Sequence, residues 1–476
     1  MIEFFRESLH VLLLLAGGCI AAWASAHALL NKRDPRSAAA WVAMIVFFPF
    51  FGAFLYALLG VNRIRMRARR LHDLPRDFDT SEPLSGASVP GDGFLDPAFL
   101  NLARLGQAVS QQAIVRNSHI EPLENGDRAY PAMIAAIQAA RSSVWLASYI
   151  FEVKGAGAAF VDALVAARDR GVEVRILVDG IGDLYAWPRA SASLSKRGLA
   201  VARFLPPGPR PPAFSINLRN HRKLLLVDGA VGFTGGMNIR SRHLKGQRLQ
   251  PDVADIHFML RGEVVAQLAQ VFKRDWHFTT GESLELSPVE PIDGNSACRV
   301  IMDGPSEDLD KLIWMLVGAI ALARENICIM TPYFAPPREL IMAIQTAALR
   351  GVKVRILLPA HNNFSFMTWA AVHAIGPLLR TGAEVAFVEG PFVHSKVFIV
   401  DAYYAQIGSS NLDHRSLRLN FELAVEVYDP EFASLLQDYF ERMAKRAMPM
   451  NFRQWRARSL PRRLRDGAFW LLSPYI

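Results

Sequence analysis

One pattern occurs twice in this chain, and no other feature of the sequence restricts its fold as much. His221-Arg222-Lys223 is followed by Asp228, and His394-Ser395-Lys396 by Asp401, so both copies read His-x-Lys-x4-Asp. The agreement continues at fixed offsets. Gly235, Gly236 and Asn238 lie seven, eight and ten positions past the first aspartate, and Gly408, Ser409 and Asn411 stand at the same places past the second. Arg242 and Arg415 also correspond. A lone match could be a core histidine beside a structural lysine, but two matches with shared flanks imply an internal duplication.

The duplication extends upstream. Ala140-Arg141-Ser142-Ser143-Val144 is echoed by Ala323-Arg324-Glu325-Asn326-Ile327, each leading into an apolar run that ends in aromatics, Tyr149 and Phe151 or Tyr333 and Phe334. Arg170-Gly171-Val172-Glu173-Val174-Arg175-Ile176-Leu177 is matched by Arg350-Gly351-Val352-Lys353-Val354-Arg355-Ile356-Leu357, and each copy follows a helix-like stretch. Helix, glycine stop and buried strand in alternation predict an α/β layer fold in each half.

Side chains alternate along a strand, so a strand opened by His221 would put His221 and Lys223 on one face and Leu224 and Leu226 on the other. His394 and Lys396 repeat the arrangement. A phosphate could then meet a neutral nucleophile and a cation from the same strand. Asp228 and Asp401 complete the motifs but fall at odd offset beside a turn, so they read as fold-stabilising members of the set.

The N-terminus has a different character. Residues 9–30 and 38–60 are apolar runs, the second without any charge, and each exceeds the roughly 20 residues that span a bilayer core. The polar turn between them, with Pro35, predicts an uncleaved transmembrane helical hairpin. Arg63, Arg65, Arg67, Arg69 and Arg70 follow the second run and favour a cytoplasmic main domain. The formal charge of +9 calls for an anionic partner, nucleic acid or acidic lipid. Cys19, Cys298 and Cys328 are too far apart for a thiolate metal site, and His-Glu-x-x-His, Walker-type and dinucleotide patterns are missing, so no metal and no cofactor is expected. The expected organisation is a hairpin over residues 1–70, a linker over 71–112, α/β halves over 113–290 and 291–450, and a basic aromatic tail over 451–476. That tail suits an interfacial segment and a solvated basic tail folded onto the domain equally, whereas Phe364, Phe366, Met367 and Trp369 read as an acyl-chain entry or, as is more usual for such clusters, as core.

The doubled motif resembles the signature of the phospholipase D superfamily from about residue 115 to 445. Three features bring the chain closer to the bacterial cardiolipin synthases: Lys32-Arg33-Asp34-Pro35-Arg36-Ser37 before Ala38-Ala39-Ala40-Trp41; Gly304-Pro305-Ser306-Glu307-Asp308; and Asn411 to Glu422. The resemblance implies two homologous halves, each a mixed β-sheet flanked by helices, related by pseudo-two-fold symmetry about one shared site. It puts His221 and His394 on opposite sides of one phosphorus, with Lys223, Lys396, Asn238 and Asn411 around its oxygens and Gly236 and Ser409 beside them. Asp255 and Glu422, each opening an apolar strand, take the place of the acids that orient the histidines.

On this resemblance, the expected reaction is phosphatidyl transfer between two phosphatidylglycerol molecules, giving cardiolipin and glycerol through a phosphatidyl-histidine on His221, at the bacterial inner membrane and on its cytoplasmic face. A phosphatidylethanolamine-forming or phosphatidic acid-forming enzyme stands as the alternative, and a membrane-tethered nuclease further off. No nucleic-acid partner is expected, and a homo-oligomer is left open.

Overall fold

The computed structural model describes residues 2–32, 35–60, 95–207, 218–246, 252–305 and 309–473. Arg63 to Arg70, most of the linker, much of the proline-rich stretch 206–212 and Ser306 to Asp308 lie outside the described residues. The chain divides into two compact units, residues 1–72 and 73–476.

In the first unit, the helix Ile2–Asn31 contains a 22-residue stretch, His10–Asn31, long and apolar enough to cross a membrane. The second apolar run is not one such helix, contrary to the expectation of two unbroken spans. It forms Pro35–Phe47, breaks at Phe48, resumes as Pro49–Leu55 and ends in the wider turn Tyr56–Gly60. Pro49 has no N–H to donate into the preceding turn and instead opens a new helix. Within this unit the second run folds back on the first: His27 Nδ1 lies 2.9 Å from the Tyr56 hydroxyl, and the Tyr56 ring packs edge-on to Trp41. Leu12, Leu14, Trp23, Leu30, Phe47 and Phe51 remain exposed, an apolar surface suited to lipid.

The second unit is built on one mixed sheet of 15 strands. Its N-terminal part supplies β1 (Val115–Glu124), β2 (Ser143–Ser148), β3 (Glu173–Asp179), β4 (Ala200–Phe204), β5 (Leu224–Val227), β6 (Val231–Gly235) and β8 (Ile256–Gly262), with the short β7 (Val253–Ala254) outside the sheet. The C-terminal part supplies β9 (Ser296–Asp303), β10 (Asn326–Met330), β12 (Lys353–Pro359), β13 (Glu384–Val388), β15 (Val397–Val400), β16 (Tyr404–Gly408), β18 (Glu422–Tyr428) and β19 (Ala447–Met450). Three further short strands lie outside it, β11 (Phe334–Ala335), β14 (Phe392–Val393) and β17 (Leu412–Asp413).

From the central antiparallel pair β1 and β9, the order outward is β1-β8-β6-β5-β2-β3-β4 on one side and β9-β18-β16-β15-β10-β12-β13-β19 on the other. The sense of pairing also repeats. Neighbours are antiparallel as far as β5–β2 and β15–β10, then parallel through β4 and β13.

Both faces of the sheet are covered around the motifs, so β5 (LLLV) and β15 (VFIV) are apolar throughout rather than alternating. Leu224 and Leu226 of β5 and Val397 and Ile399 of β15 join one continuous core with Phe272 and Phe440, which lie on the long helices Val264–Thr280 and Pro430–Ala444. The intervening Leu225, Val227, Phe398 and Val400 point into two separate cores on the opposite face. Part of the expected linker and the expected tail form helices. Residues 97–110 of the expected linker are helical, with Leu102 and Ala103 fully buried against the second-half core. The C-terminal tail forms the helices Phe452–Arg456 and Leu460–Leu471.

Candidate active site

The two motif histidines are each gripped by the opposite part of the chain. His221 Nδ1 lies 3.0 and 3.2 Å from the two carboxylate oxygens of Glu422, and His394 Nδ1 lies 2.8 Å from Asp255 Oδ2. The backbone repeats the crossing: the His221 N–H donates to the carbonyl of Phe421 at 2.9 Å and the His394 N–H to that of Ala254 at 2.8 Å, in each case the residue before the acid. The bridge Asn220–Phe421 and the parallel pair β7–β14 extend these contacts into two short cross-ties. This explains a departure from the sequence reading, which lets His221 open its strand. β5 begins only at Leu224 and β15 at Val397, because the backbone of each motif is first committed to the other half.

Both carboxylates are fully buried. Each is placed to hold a ring N–H at Nδ1, which favours the tautomer that leaves Nε2 without the proton. Burial pulls the His221 pKa down to about 4, with Glu422 opposing and Lys223 reinforcing the shift. His394 is driven well below its ordinary value by burial, then by Lys396, Lys223 and His221. Of these, Lys223 and His221 belong to the other motif. Burial also lowers Lys223 to about 7 and Lys396 to about 8. The head group of Lys223 donates to the His221 carbonyl at 2.5 Å, and that of Lys396 to the His394 carbonyl at 2.6 Å, with its Nζ 3.1 Å from His394 Nδ1 and 3.3 Å from Nε2.

Asn238 and Asn411 follow β6 and β16. The Asn238 side-chain Oδ1 accepts from the Ile150 N–H at 3.1 Å, whereas the Asn411 amide donates to Ser416 at 3.0 Å and its buried Oδ1 has no partner among the described residues. Gly236 stands where any Cβ would come within 2.6 Å of Asp255 Oδ1, so only glycine lets that carboxylate reach His394. The Ser409 hydroxyl, expected beside a phosphate, donates instead to Glu422 Oε2 at 2.5 Å and so braces the acid behind His221.

Asp228 and Asp401 lie away from the rings. Asp228 accepts the N–H groups of Arg141, Ser142 and Ser143, all at 2.8 Å. Asp401 accepts those of Arg324, Glu325 and Asn326 at 2.8–2.9 Å. Both aspartates adopt positive φ, 54° and 51°. The upstream repeat in the sequence is thus the N–H cradle for the motif aspartate.

Several residues around the site had no role assigned from sequence. The x position of each motif points to the continuous core: Arg222 pairs with Asp275 on the helix Val264–Thr280 at 2.5 Å, and Ser395 with Tyr439 on Pro430–Ala444 at 2.8 Å. Arg222 also donates to the Glu422 carbonyl at 3.0 Å, tying His221 to its acid a second time. Period-two alternation could have assigned their face but not their partners. Tyr149 packs edge-on to His221 with ring centres 5.2 Å apart, and Tyr333 to His394 at 6.3 Å. His243 is buried 6.3 Å from His394, ring centre to ring centre.

A mixed sheet repeated in order and sense, carrying two crossed histidine–carboxylate pairs, defines a phospholipase D-like protein. Residues 133–276 and 316–444 match the family described as cardiolipin synthase, PLD-like domain, and residues 19–60 match phospholipase D-nuclease N-terminal. The chain belongs to the cardiolipin synthase family. It is 30% identical to the cardiolipin synthase of Geobacillus thermodenitrificans over 94% of this chain and 90% of that protein. It is 29% identical to the major cardiolipin synthase of Bacillus subtilis over 94% of this chain and 95% of that one. A phosphatidylserine synthase structure from Haemophilus influenzae shares the fold, with a TM-score of 0.63 at 14% identity over 79% of this chain and all of that one.

Proposed function

We propose that this chain, a phospholipid phosphatidyltransferase of the cardiolipin synthase family, joins two phosphatidylglycerol molecules into cardiolipin and releases glycerol. The observation that carries the reading is the crossed support of the histidines, His221 on Glu422 and His394 on Asp255. It makes each motif incomplete without the other, as one shared site requires. The matching strand order on the two sides of the β1–β9 pair supports a pseudo-two-fold relation between halves at about 113–290 and 291–450.

In the first step His221 Nε2 attacks phosphorus, the bond to the headgroup glycerol oxygen breaks, and His394 gives that oxygen a proton. In the second, His394 takes the proton from a glycerol hydroxyl of another phosphatidylglycerol. That oxygen then attacks phosphorus and the phosphorus–nitrogen bond breaks. In the unliganded site, burial and neighbouring cations keep His394 neutral; the negative charge of a bound phosphodiester offsets them and favours the protonated acid. Lys223, Lys396, Asn238 and Asn411 stabilise the equatorial oxygens. Assigning attack to His221 follows the resemblance and is supported by the Lys396 head group crowding the His394 ring, 3.1 Å from Nδ1 and 3.3 Å from Nε2, while the Lys223 head group lies over Tyr149, 5.5 Å from the ring centre. Dividing one displacement into two is the gain of covalent catalysis, and the acid–base step is worth ~10²–10⁴-fold.

The substrate lipid is membrane-bound, which suits the apolar N-terminal helix. The fold-back of the second apolar run on the first supports a hairpin anchor, with His10–Asn31 as the span long enough to cross, and the arginines after residue 60 support a cytoplasmic catalytic unit. Incubating the purified full chain with phosphatidylglycerol and resolving the products tests the reading. Cardiolipin and glycerol in equal amounts are expected; phosphatidic acid as sole lipid product would make it a hydrolase.

A further inference from the structure

The C-terminal helix Leu460–Leu471 uses only one of its faces for packing. On the inner face, Phe469 lies against Trp369 with ring centres 4.9 Å apart, and Trp470 stacks on His373 at 4.8 Å, both on the helix Ser365–Ala374. Asp466 is buried and takes Arg465 at 2.7 Å and Arg458 beside it. The preceding Trp455 donates its indole N–H to the Val372 carbonyl at 2.6 Å, in a space left by the missing side chain of Gly376. The helix is therefore fixed in place, not a loose tail.

The outer face has no such partner among the described residues. Leu460, Leu464, Ala468 and Leu471 recur at helical spacing along it; Leu464 is 65% and Leu471 68% exposed, far beyond what scattered surface leucines need. Leu472 extends the apolar surface. Around it stand Arg453, Arg456, Arg462, Arg463 and Arg465, all exposed, while the single carboxylate of residues 451–473 is the buried Asp466. An apolar stripe bordered by cations alone is the pattern of a helix lying in an anionic bilayer surface.

We propose that this helix is a second membrane contact of the enzyme: its leucines enter the headgroup–acyl boundary of an anionic bilayer and its arginines meet lipid phosphates. The surface is connected to the catalytic wall. The helix Ser365–Ala374 lies between it and β11, and β11 pairs with β17 next to Asn411. Asn363, beside Phe364, accepts the Tyr333 hydroxyl at 2.7 Å, and Tyr333 borders His394. Docking would thus set the second-half wall of the site at the lipid surface. The inference rests on the lipid-transferase reading for the charge of that surface.

The test places a nitroxide at Leu464→Cys in the full-length Cys19→Ala protein, since Cys298 and Cys328 are buried, with Leu349→Cys, at an exposed position on another helix, as reference. In phosphatidylcholine vesicles containing phosphatidylglycerol, the 464 label is expected to be shielded from a water-soluble nickel chelate and open to oxygen, while the 349 label stays open to nickel. Equal nickel access at both sites overturns the proposal. So does shielding of 464 in detergent that grows with protein concentration, with dipolar broadening between labels, because the occupant is then a second copy. In surface-dilution assays the triple variant Leu460→Gln, Leu464→Gln, Leu471→Gln is expected to raise KM on the order of tenfold at unchanged kcat and melting temperature; an unchanged KM counts against the contact. Label depth is read without turnover, so it stands apart from the product assay that tests the reaction.

Discussion

Glu422 Oε1 stands 3.0 Å from Nδ1 of His221, a residue 201 positions earlier in the chain, and the two meet across the strands that separate the motifs. The consequence is that the carboxylate most important to each histidine belongs to the other motif's half. Glu422→Gln removes the charge that stabilises the imidazolium and loosens the tautomer. A loss of ~10²–10⁴-fold in kcat is expected, by analogy with the acid of a hydrolase triad. In the background of His221→Ala the same change should cost nothing further, because the two act as a unit. Additive losses in that double variant would separate Glu422 from His221.

His221→Ala and His394→Ala are each expected to abolish cardiolipin formation, since neither motif has a complete site alone. Rapid acid quench of the native enzyme with radiolabelled phosphatidylglycerol, followed by peptide mapping, is expected to find the phosphoryl label on His221. Label on His394 reverses the assignment of roles.

Asp228→Ala and Asp401→Ala should act on folding before chemistry. Each removes the acceptor of three backbone N–H groups, and burial strain on Asp228 is already outweighed by those bonds, which hold its carboxyl below the usual range. A loss of about 1–3 kcal/mol in denaturant unfolding is expected for each, with kcat of the remaining folded protein within a few-fold of native. A collapse of kcat without loss of stability would assign them to the reaction.

The two lysines set the alkaline side of the pH profile. Burial lowers them to about 7 and about 8, so in the free enzyme the cations present at acid pH are lost as pH rises through that window. The kcat/KM profile should therefore fall above about pH 8, and the limb in kcat should lie higher because bound phosphate favours the charged lysines. Lys223→Arg keeps its charge throughout and should shift the limb toward the Lys396 value, at a cost in activity from altered geometry. A flat kcat/KM to pH 10 would leave the lysines out of phosphate binding.

Chelators are expected to leave the rate unchanged, because the lysines and asparagines supply the charge and donors that a metal would. Loss of activity in EDTA with recovery on adding a divalent ion would require a different scheme.

The linear order of residues determined much of this enzyme. The doubled His-x-Lys-x4-Asp spacing picked out both histidines and both lysines of the proposed site, and the repeated upstream segment, read only as a repeat, proved to be the N–H cradle of the motif aspartates, 75 to 87 positions away. Local rules misjudged residues 97–110, whose helix is held by buried contacts of Leu102 and Ala103 with the second-half core, and the second apolar run, where a composition suited to crossing a bilayer hid the break at Pro49. What only the tertiary structure decided is which acid serves which histidine, that Ser409 braces Glu422, and that Arg222 and Ser395 anchor the motifs to two different helices. Those pairings join residues far apart in the chain, and only the closing of one sheet about β1 and β9 brings them within hydrogen-bond reach; no spacing along the chain encodes that distance.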